Sequence, residues 1–231
     1  MTVKDILLNG DVEYIGRIVA SSNNAILIRC SESQREIFGI YKPKRFERPL
    51  WDFSEGLYKR EYLTFLTDKE LGFDSVPETV IREDLEFGIG SVQHFLTEVK
   101  FYDYFEVLDH GGFVPELFKI AILDLIINNA DRKAGHILVT NLNKVYAIDN
   151  GLSFNSVPKL RTVMWDFVGK ELSEEIIESI NRLLGSFAEF ANEFIDADEI
   201  KMTLRRAMIL LDEGIYPDIP EERRSYPWPI F

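Results

Sequence analysis

The fold of this chain is decided by residues 131–151, which read DRKAGHILVTNLNKVYAIDNG. Two acidic residues, Asp131 and Asp149, flank two short runs rich in apolar and β-branched residues, HILVT and KVYAID. An Asn-Leu-Asn turn at 141–143 separates the runs, so the pattern predicts a β-hairpin. A hairpin returns its two ends to the same place. Both carboxylates are therefore expected to face one cleft, where a divalent cation would offset their repulsion.

Two further side chains of this stretch suit phosphoryl-transfer chemistry. The imidazole of His136 can join Asp149 on a metal ion, and the ammonium of Lys133 can lie beside a transferring phosphoryl group. His136 has a second interpretation, in which it hydrogen-bonds Asp131 without touching metal. Asp131 and Asp149 also have a purely structural interpretation, as residues of an Asx turn and of a hairpin turn.

The second half of the chain reads as mainly helical. Pro115 suits a first helical turn, and the residues after it, ELFKIAILDLIINN, are apolar around most of the helix, as in a central buried helix. Two amphipathic segments, 173–184 and 197–213, are predicted to end at Gly185 and Gly214. The last segment contains four of the nine prolines and cannot continue a helix. Its Trp228 and Phe231 are expected to pack back on the body.

The first half reads as a sheet with one helix. Residues 57–71 have apolar side chains at helical spacing and a glycine, Gly72, where the helix should stop. The predicted strands, rich in β-branched and aromatic residues, are 14–19, 25–30, 36–42, 79–83 and 89–96. We therefore predict an α+β fold with a β-rich lobe over residues 1–95 and a mainly α-helical lobe over residues 96–231, forming one domain overall.

Composition limits the compartment and the partners. The 231 residues include 46% hydrophobic residues, enough to bury a sizeable core, and Cys30 is the single cysteine, which excludes an internal disulfide. The formal charge of −13 argues against nucleic acid and against an anionic membrane surface as partners. No run approaches the roughly 20 apolar residues of a bilayer span. We expect a soluble, cytoplasmic protein without membrane insertion.

The order of these motifs resembles a known family. The spacing D-R-K-A-G-H, hairpin, D-N-G is similar to that of a catalytic-loop aspartate, a metal ligand five positions later and a D-x-G aspartate. With YKP, PLWDF, KRE and GSVQ upstream, the chain resembles the phosphoinositide-kinase-like, PI3/PI4-kinase-related branch of the kinase superfamily. Within that branch it is most similar to an uncharacterised bacterial family. The shared features extend over approximately residues 14–170.

The resemblance implies a two-lobed protein-kinase-like fold that binds ATP between the lobes. Lys42 in IYKP corresponds to the strand lysine that contacts the α- and β-phosphates, and Glu61 in KRE to the helix glutamate that holds this lysine in place. The turn containing Ser22 and Asn23 takes the place of a glycine-rich loop and would receive phosphate oxygens.

The same resemblance assigns the remaining parts of the site. Val92 and Gln93 correspond to the hinge, whose backbone would bind the adenine edge. Asp131 would accept or orient the proton of an attacking hydroxyl, while Asp149 would hold a metal that bridges the phosphates.

The sequence departs from the family pattern at two positions of the site. His136 stands where the family has asparagine, and imidazole suits Mn²⁺ and later metals better than Mg²⁺. Asn150 stands where the protein kinases have phenylalanine. After Asp149, the segment carries only Lys159 and Arg161 as cations, too few to favour an inositol phosphate headgroup.

The leading hypothesis is an ATP-dependent and Mg²⁺- or Mn²⁺-dependent phosphotransferase acting on a hydroxyl of a protein or small molecule. A nucleotide-binding pseudokinase and a nucleotidyl (AMP) transferase are the alternatives. The pseudokinase hypothesis stays open because of the substitution at His136. The nucleotidyl-transferase hypothesis supposes that ATP binds in the inverted orientation, with its α-phosphate at the same metals.

Overall fold

The structure, a computed structural model, describes residues 1–18 and 25–231. Its first part contains an antiparallel sheet whose five strands are arranged in the order β1-β2-β3-β5-β4. A β-rich first part was predicted and is confirmed. The elements are α1 (Val3–Asn9), β1 (Asp11–Arg17), β2 (Ile26–Glu32), β3 (Arg35–Pro43), α2 (Leu57–Leu71), β4 (Thr79–Arg82) and β5 (Gly90–His94).

Strand β3 carries Lys42 and lies between β2 and β5. Lys42 pairs with Ser91 of β5, and the neighbouring Pro43 pairs with Gly90. A Cβ atom at Gly90 would overlap the Lys42 carbonyl, so only glycine allows the two strands to approach this closely. The GSVQ motif thus sets the position of the strand that presents Lys42.

Helix α2 carries Glu61 and has well-defined ends. The carboxylate of Glu47 accepts hydrogen bonds from the backbone N–H groups of Gly56 and Tyr58, at 2.9 and 2.8 Å. At the other end Gly72 adopts a φ of +70°, a left-handed conformation that glycine adopts without steric cost. The predicted bounds, 57–71, are confirmed.

The second part is mainly helical, as predicted. A small sheet in the order β6-β7-β8 packs beside the helices, and the predicted hairpin is its β7-β8 pair. The elements are β6 (Val99–Phe101), α3 (Tyr104–His110), α4 (Val114–Ile127), β7 (Ile137–Thr140), β8 (Val145–Ala147), α5 (Glu174–Ala191) and α6 (Ala197–Glu213).

The described residues form two hydrophobic cores. The smaller core lies between α1 and the five-stranded sheet, where Ile6 and Leu7 meet Ile28 and Val92. The larger core surrounds α4 and includes residues of α2 such as Leu63. Helix α2 therefore belongs to the core of the second part while it also contacts β4 and β5. The division predicted between residues 95 and 96 falls between β5 and β6, which lie in different sheets.

Three expectations about individual elements need correction. Helix α5 does not end at Gly185 but continues to Ala191, because Leu183, Phe187 and Ala191 bury a continuous apolar stripe that outweighs the cost of about 1 kcal/mol for a helical glycine. Helices α1 and α3, each of seven residues, were not predicted. Trp228 does not pack into the body, since it is 77% exposed, and Phe231, 71% exposed, is not buried there but contacts the ring of Phe105 on the surface.

Candidate active site

Three charged side chains from distant parts of the sequence meet in the cleft beside β3. The Lys42 ammonium donates hydrogen bonds to the Glu61 carboxylate on α2 and, at 2.8 Å, to the Asp149 carboxylate just after β8. The side chains of Lys42 and Glu61 are 15% and 4% exposed, whereas that of Asp149 is 41% exposed. The structure therefore brings the expected lysine and glutamate together and leaves Asp149 accessible to a ligand.

The charges of this group stabilise one another. Burial acts to lower the pKa of Lys42, but the negative charges of Asp149 and Glu61 outweigh it and raise that pKa. The positive charge of Lys42 holds the pKa of Asp149 well below its usual range, against the effect of burial. Lys42 is therefore an ammonium and Asp149 a carboxylate at neutral pH.

Asp131 lies in the loop between α4 and β7. Its backbone N–H donates to the Asn129 side chain at 3.0 Å, and its carboxylate lies 3.3 Å from the ammonium of Lys133. Burial raises the pKa of Asp131, and the positive charge of Lys133 partly opposes this. The charge of Asp149 raises it further, so the two carboxylates interact electrostatically, and a shared cleft for them stays a prediction.

His136 lies beside Asp149 rather than beside Asp131. Its Nε2 atom is 3.5 Å from an oxygen of Asp149, and its Nδ1 atom accepts a weak hydrogen bond of 3.4 Å from the Lys133 backbone N–H. Burial lowers the pKa of His136 to about 4, so the imidazole is neutral at pH 7. A neutral imidazole next to a carboxylate has the chemistry of a metal ligand, and this role stays a prediction.

A buried ion pair under the loop was missed in the sequence. The guanidinium of Arg132 makes a two-pronged contact with Asp124 of α4 at 2.9 Å, and both side chains are fully buried. Arg132 also donates to the Ile148 carbonyl at 2.7 Å, and Asn129 donates to Asp124 at 2.9 Å. The signal was available: Asp124 is an acid inside an otherwise apolar helix, and a buried acid needs a buried cation.

Asn150, the residue in place of phenylalanine, joins the two parts of the chain. It is fully buried, and its backbone N–H donates to the Glu61 carboxylate at 3.1 Å. Its side-chain oxygen accepts a hydrogen bond of 2.6 Å from Arg132, and its amide nitrogen donates to the Ala147 carbonyl at 3.3 Å. The Asn150 side chain therefore makes two hydrogen bonds where a phenylalanine would make apolar contacts, and the bond to Glu61 comes from the backbone.

The residues predicted to contact the nucleotide are not brought together as Lys42, Glu61 and Asp149 are. Val92 and Gln93 lie inside β5, where they pair with β3 on one side and β4 on the other. A strand paired on both sides has no backbone groups left for an adenine ring. The assignment of Val92 and Gln93 to the hinge stays a prediction. Ser22 and Asn23 lie outside the described residues.

One of the two cations after Asp149 is already engaged. The Lys159 ammonium lies 2.7 Å from the Asp52 carboxylate, and both side chains are mostly buried. It also lies over the ring of Phe53, 5.8 Å from its centre. Lys159 is therefore part of the packing between the loop before α2 and the segment after Asp149, and it is not available to grip an anionic headgroup.

The residues of the cleft fit a divalent cation that takes only one or two of its ligands from the protein. Within residues 1–18 and 25–231, no group of three or more His, Cys, Asp or Glu side chains is placed to hold a metal. Mg²⁺, however, commonly uses only one or two protein carboxylates, with waters and substrate phosphates completing its shell. Asp149 supplies such a carboxylate, and the neighbouring His136 would add an imidazole that suits Mn²⁺ better.

A strand lysine paired with a helix glutamate, a loop aspartate and a second aspartate after a hairpin define a phosphotransferase of the kinase superfamily. The chain belongs to the family described as phosphatidylinositol 3- and 4-kinase, which matches residues 57–216. The predicted kinase branch is thereby confirmed.

Two known proteins extend the comparison. The chain is 35% identical over 274 aligned positions to Protein Rv2133c of Mycobacterium tuberculosis (strain ATCC 25618 / H37Rv), with 100% of this chain and 98% of that protein covered. Its fold is similar to the crystal structure of a Helicobacter pylori proinflammatory kinase, CtkA, with a TM-score of 0.50 and 10% identity. That match covers 90% of this chain and 94% of the other, and it shows a shared fold.

Proposed function

We propose that this chain transfers the γ-phosphoryl group of ATP to a hydroxyl of a protein or small molecule, with Mg²⁺ or Mn²⁺ bound in the cleft. The observation that carries the proposal is the position of Lys42, whose ammonium is held between Glu61 and Asp149. A structural ion pair would need one carboxylate. The second one, on the exposed side of the lysine, places a cation and an anion side by side where a metal-bound triphosphate would bind.

Each charged side chain then has a defined task. Glu61, almost fully buried, keeps Lys42 extended toward the phosphates, while Asp149, with His136 beside it, would hold the metal. A bound divalent cation would neutralise charge on the phosphates and align them. The chain's own contribution is to keep Lys42 charged and Asp149 ionised at neutral pH, as their shifted pKa values require.

Asp131 is the group that meets the acceptor. Its side chain is 27% exposed, and its raised pKa makes it a better proton acceptor than an ordinary aspartate. In the proposed reaction it orients the acceptor hydroxyl and takes its proton. The bond from the hydroxyl oxygen to the γ-phosphorus forms as the bond to ADP breaks. Lys133, 3.3 Å from Asp131, balances charge beside the transferred group.

The acceptor is proposed to be a protein or small molecule rather than an inositol lipid. Lys159 is engaged with Asp52, which leaves few free cations in the segment that follows Asp149. The chain as a whole carries a formal charge of −13 and would repel an anionic membrane surface. Among the described residues, no helix has the length and apolar character needed to cross a bilayer.

A pseudokinase is the second candidate, and the environment of His136 favours it. Because Nδ1 accepts a hydrogen bond from Lys133, the proton of the neutral ring is on Nε2, the atom that faces Asp149. Metal binding through Nε2 requires the other tautomer, so with the observed hydrogen bond a water molecule would take the place of His136 as a ligand. In that state the chain would bind nucleotide without efficient transfer.

Calorimetric titration of ATP tests the proposal before any acceptor is known. Wild type, Asp149→Ala and the control Asp109→Ala, which removes an exposed carboxylate on α3, are titrated with Mg²⁺, with Mn²⁺ and without metal. We expect metal-dependent binding that Asp109→Ala retains and Asp149→Ala loses by at least about tenfold. No binding with either metal, or equal binding in Asp149→Ala, would refute the proposed cleft.

Labelled ATP then separates the chemistries. Transfer of label from the γ-phosphate to protein or to a screened acceptor, abolished in Asp131→Asn, supports the phosphotransferase. Transfer from the α-phosphate would identify a nucleotidyl transferase on the same fold. Binding without either transfer, restored to turnover in His136→Asn, would identify a pseudokinase created by the histidine.

A further inference from the structure

The residues after α6 form a second support for the loop that carries Asp131. This segment, residues 217–231, lies beyond the part of the chain that matches the kinase family, which ends at residue 216. It has no helix or strand of its own. Nevertheless it hydrogen-bonds to the catalytic loop and to the segment that follows Asp149.

The first contact reaches the catalytic loop itself. The backbone N–H of Ala134 donates to the Ile230 carbonyl at 2.8 Å. Ala134 is fully buried and lies three residues after Asp131, next to Lys133. A buried N–H without a partner is costly, so the Ile230 carbonyl is a requirement of this loop conformation.

The second contact is made to Thr162, in the segment that pairs with the loop. Residue Arg132 forms a parallel bridge with Thr162, which ties the loop to the segment after Asp149. The Ser225 carbonyl accepts hydrogen bonds from the Thr162 backbone at 3.1 Å and from the Trp165 indole at 3.0 Å. The carbonyls of Ile230 and Ser225 therefore bind the two segments that this bridge joins, at Ala134 and Thr162 respectively.

The segment is itself anchored at both contacts. The hydroxyl of Ser225 donates to the Pro220 carbonyl at 2.9 Å, which closes a turn around a buried serine. Ile230 packs against the larger core, and the ring of Phe231 contacts that of Phe105 at 5.7 Å between centroids. Trp228, between these anchors, is 77% exposed and contributes little to the attachment.

We propose that Ser225 and Ile230 are positioning residues for the catalytic loop, acting through their backbone carbonyls on Thr162 and Ala134. The effect on turnover rests on the proposed function, whereas the effect on the loop does not. Because Lys42 and Glu61 belong to other elements, loosening the segment should lower kcat while the affinity for nucleotide stays unchanged.

Site-resolved amide hydrogen exchange tests this without assuming any activity. In Ile230→Ala the side chain loses its packing on the core, so the amides of Ala134 and Thr162 should exchange about tenfold faster, the factor that corresponds to 1.4 kcal/mol. Ile230→Val should show a smaller change. Trp228→Ala, which removes a larger but exposed side chain, should match the wild type. The amide of Ile122 in α4 reports global unfolding.

Each outcome supports or refutes the positioning role of the segment. Faster exchange confined to Ala134 and Thr162, with lower kcat and unchanged affinity for ATP, supports the positioning role. Unchanged exchange at both amides in Ile230→Ala refutes it, and so does an equal rise at Ile122, because the segment would then be only a part of the core. Local acceleration in a protein without any turnover would retain the positioning role and reject the phosphotransferase.

Discussion

The buried pair of Arg132 and Asp124 gives a stability prediction that is independent of function. Asp124→Asn keeps the size of the side chain and removes its charge. The Arg132 guanidinium then remains fully buried with only neutral acceptors, the Ile148 carbonyl and the Asn150 side chain, at 2.7 and 2.6 Å. Breaking a buried pair by removing one partner costs about 3–5 kcal/mol.

This cost is large against the total stability of a domain, about 5–15 kcal/mol. With an m-value of about 3 kcal/mol per molar urea for a chain of this size, the midpoint of unfolding should fall by about 1–2 M. The assay is equilibrium urea unfolding followed by far-UV circular dichroism. The control, Asp109→Asn, changes an exposed aspartate on α3 and should shift stability by no more than about 0.5 kcal/mol.

A double-mutant cycle separates the pair from its surroundings. Arg132→Met alone leaves the Asp124 carboxylate buried with Asn129 as a donor at 2.9 Å, and it should also destabilise strongly. For this cycle the single variants are Asp124→Leu and Arg132→Met. The double variant that combines them removes both charges and should recover at least about 2 kcal/mol relative to the sum of these two single changes. Additive losses, or single losses below about 1 kcal/mol, would show that the pair is not the charge-compensated unit described above.

Three further predictions concern the charges of the cleft and of α2. Lys42→Met leaves Glu61 and Asp149 without their shared cation and should weaken ATP binding at least about tenfold in calorimetry. Burial raises the pKa of Asp68 to about 6. Ionisation of Asp68 is disfavoured in the fold, so the unfolding free energy of the wild type, relative to that of Asp68→Asn, should fall by up to about 3 kcal/mol as the pH rises from about 4 to 6. A difference in unfolding free energy that does not change with pH would contradict this. His136→Asn should raise the ratio of Mg²⁺- to Mn²⁺-supported ATP binding, and an unchanged ratio would exclude His136 as a metal ligand.

The elements that the sequence predicted well are those set by local patterns. Helix α2 has apolar residues at helical spacing and ends at Gly72, and the hairpin β7-β8 has alternating apolar runs around an asparagine turn. Both signals act over a few residues. By contrast, Gly185 looked like a helix end, and only the packing of Phe187 beyond it shows why α5 continues.

The candidate site was predicted in part. Lys42 and Glu61 were paired through the family resemblance, since no local pattern connects a strand to a helix 19 residues later. The acid Asp124 was visible in an apolar helix, yet its partner could not be read without the fold. The contact of Ala134 with Ile230 uses backbone atoms 96 residues apart and depends on no side-chain type. Such a contact leaves no trace in composition or periodicity.

The substitution at Asn150 explains how these parts form one site. Lys42 bonds to Glu61, Glu61 accepts from the Asn150 backbone, and the Asn150 side chain accepts from Arg132, which pairs with Asp124. A phenylalanine side chain would fill the space but could not accept from Arg132, whose buried N–H would then lack a partner. Hydrogen bonds are directional, whereas apolar contacts tolerate sliding. The Asn150 side chain therefore holds Arg132 and the Asn150 backbone holds Glu61, so one hydrogen-bonded network links Lys42 on β3, Glu61 on α2 and the loop that carries Asp131.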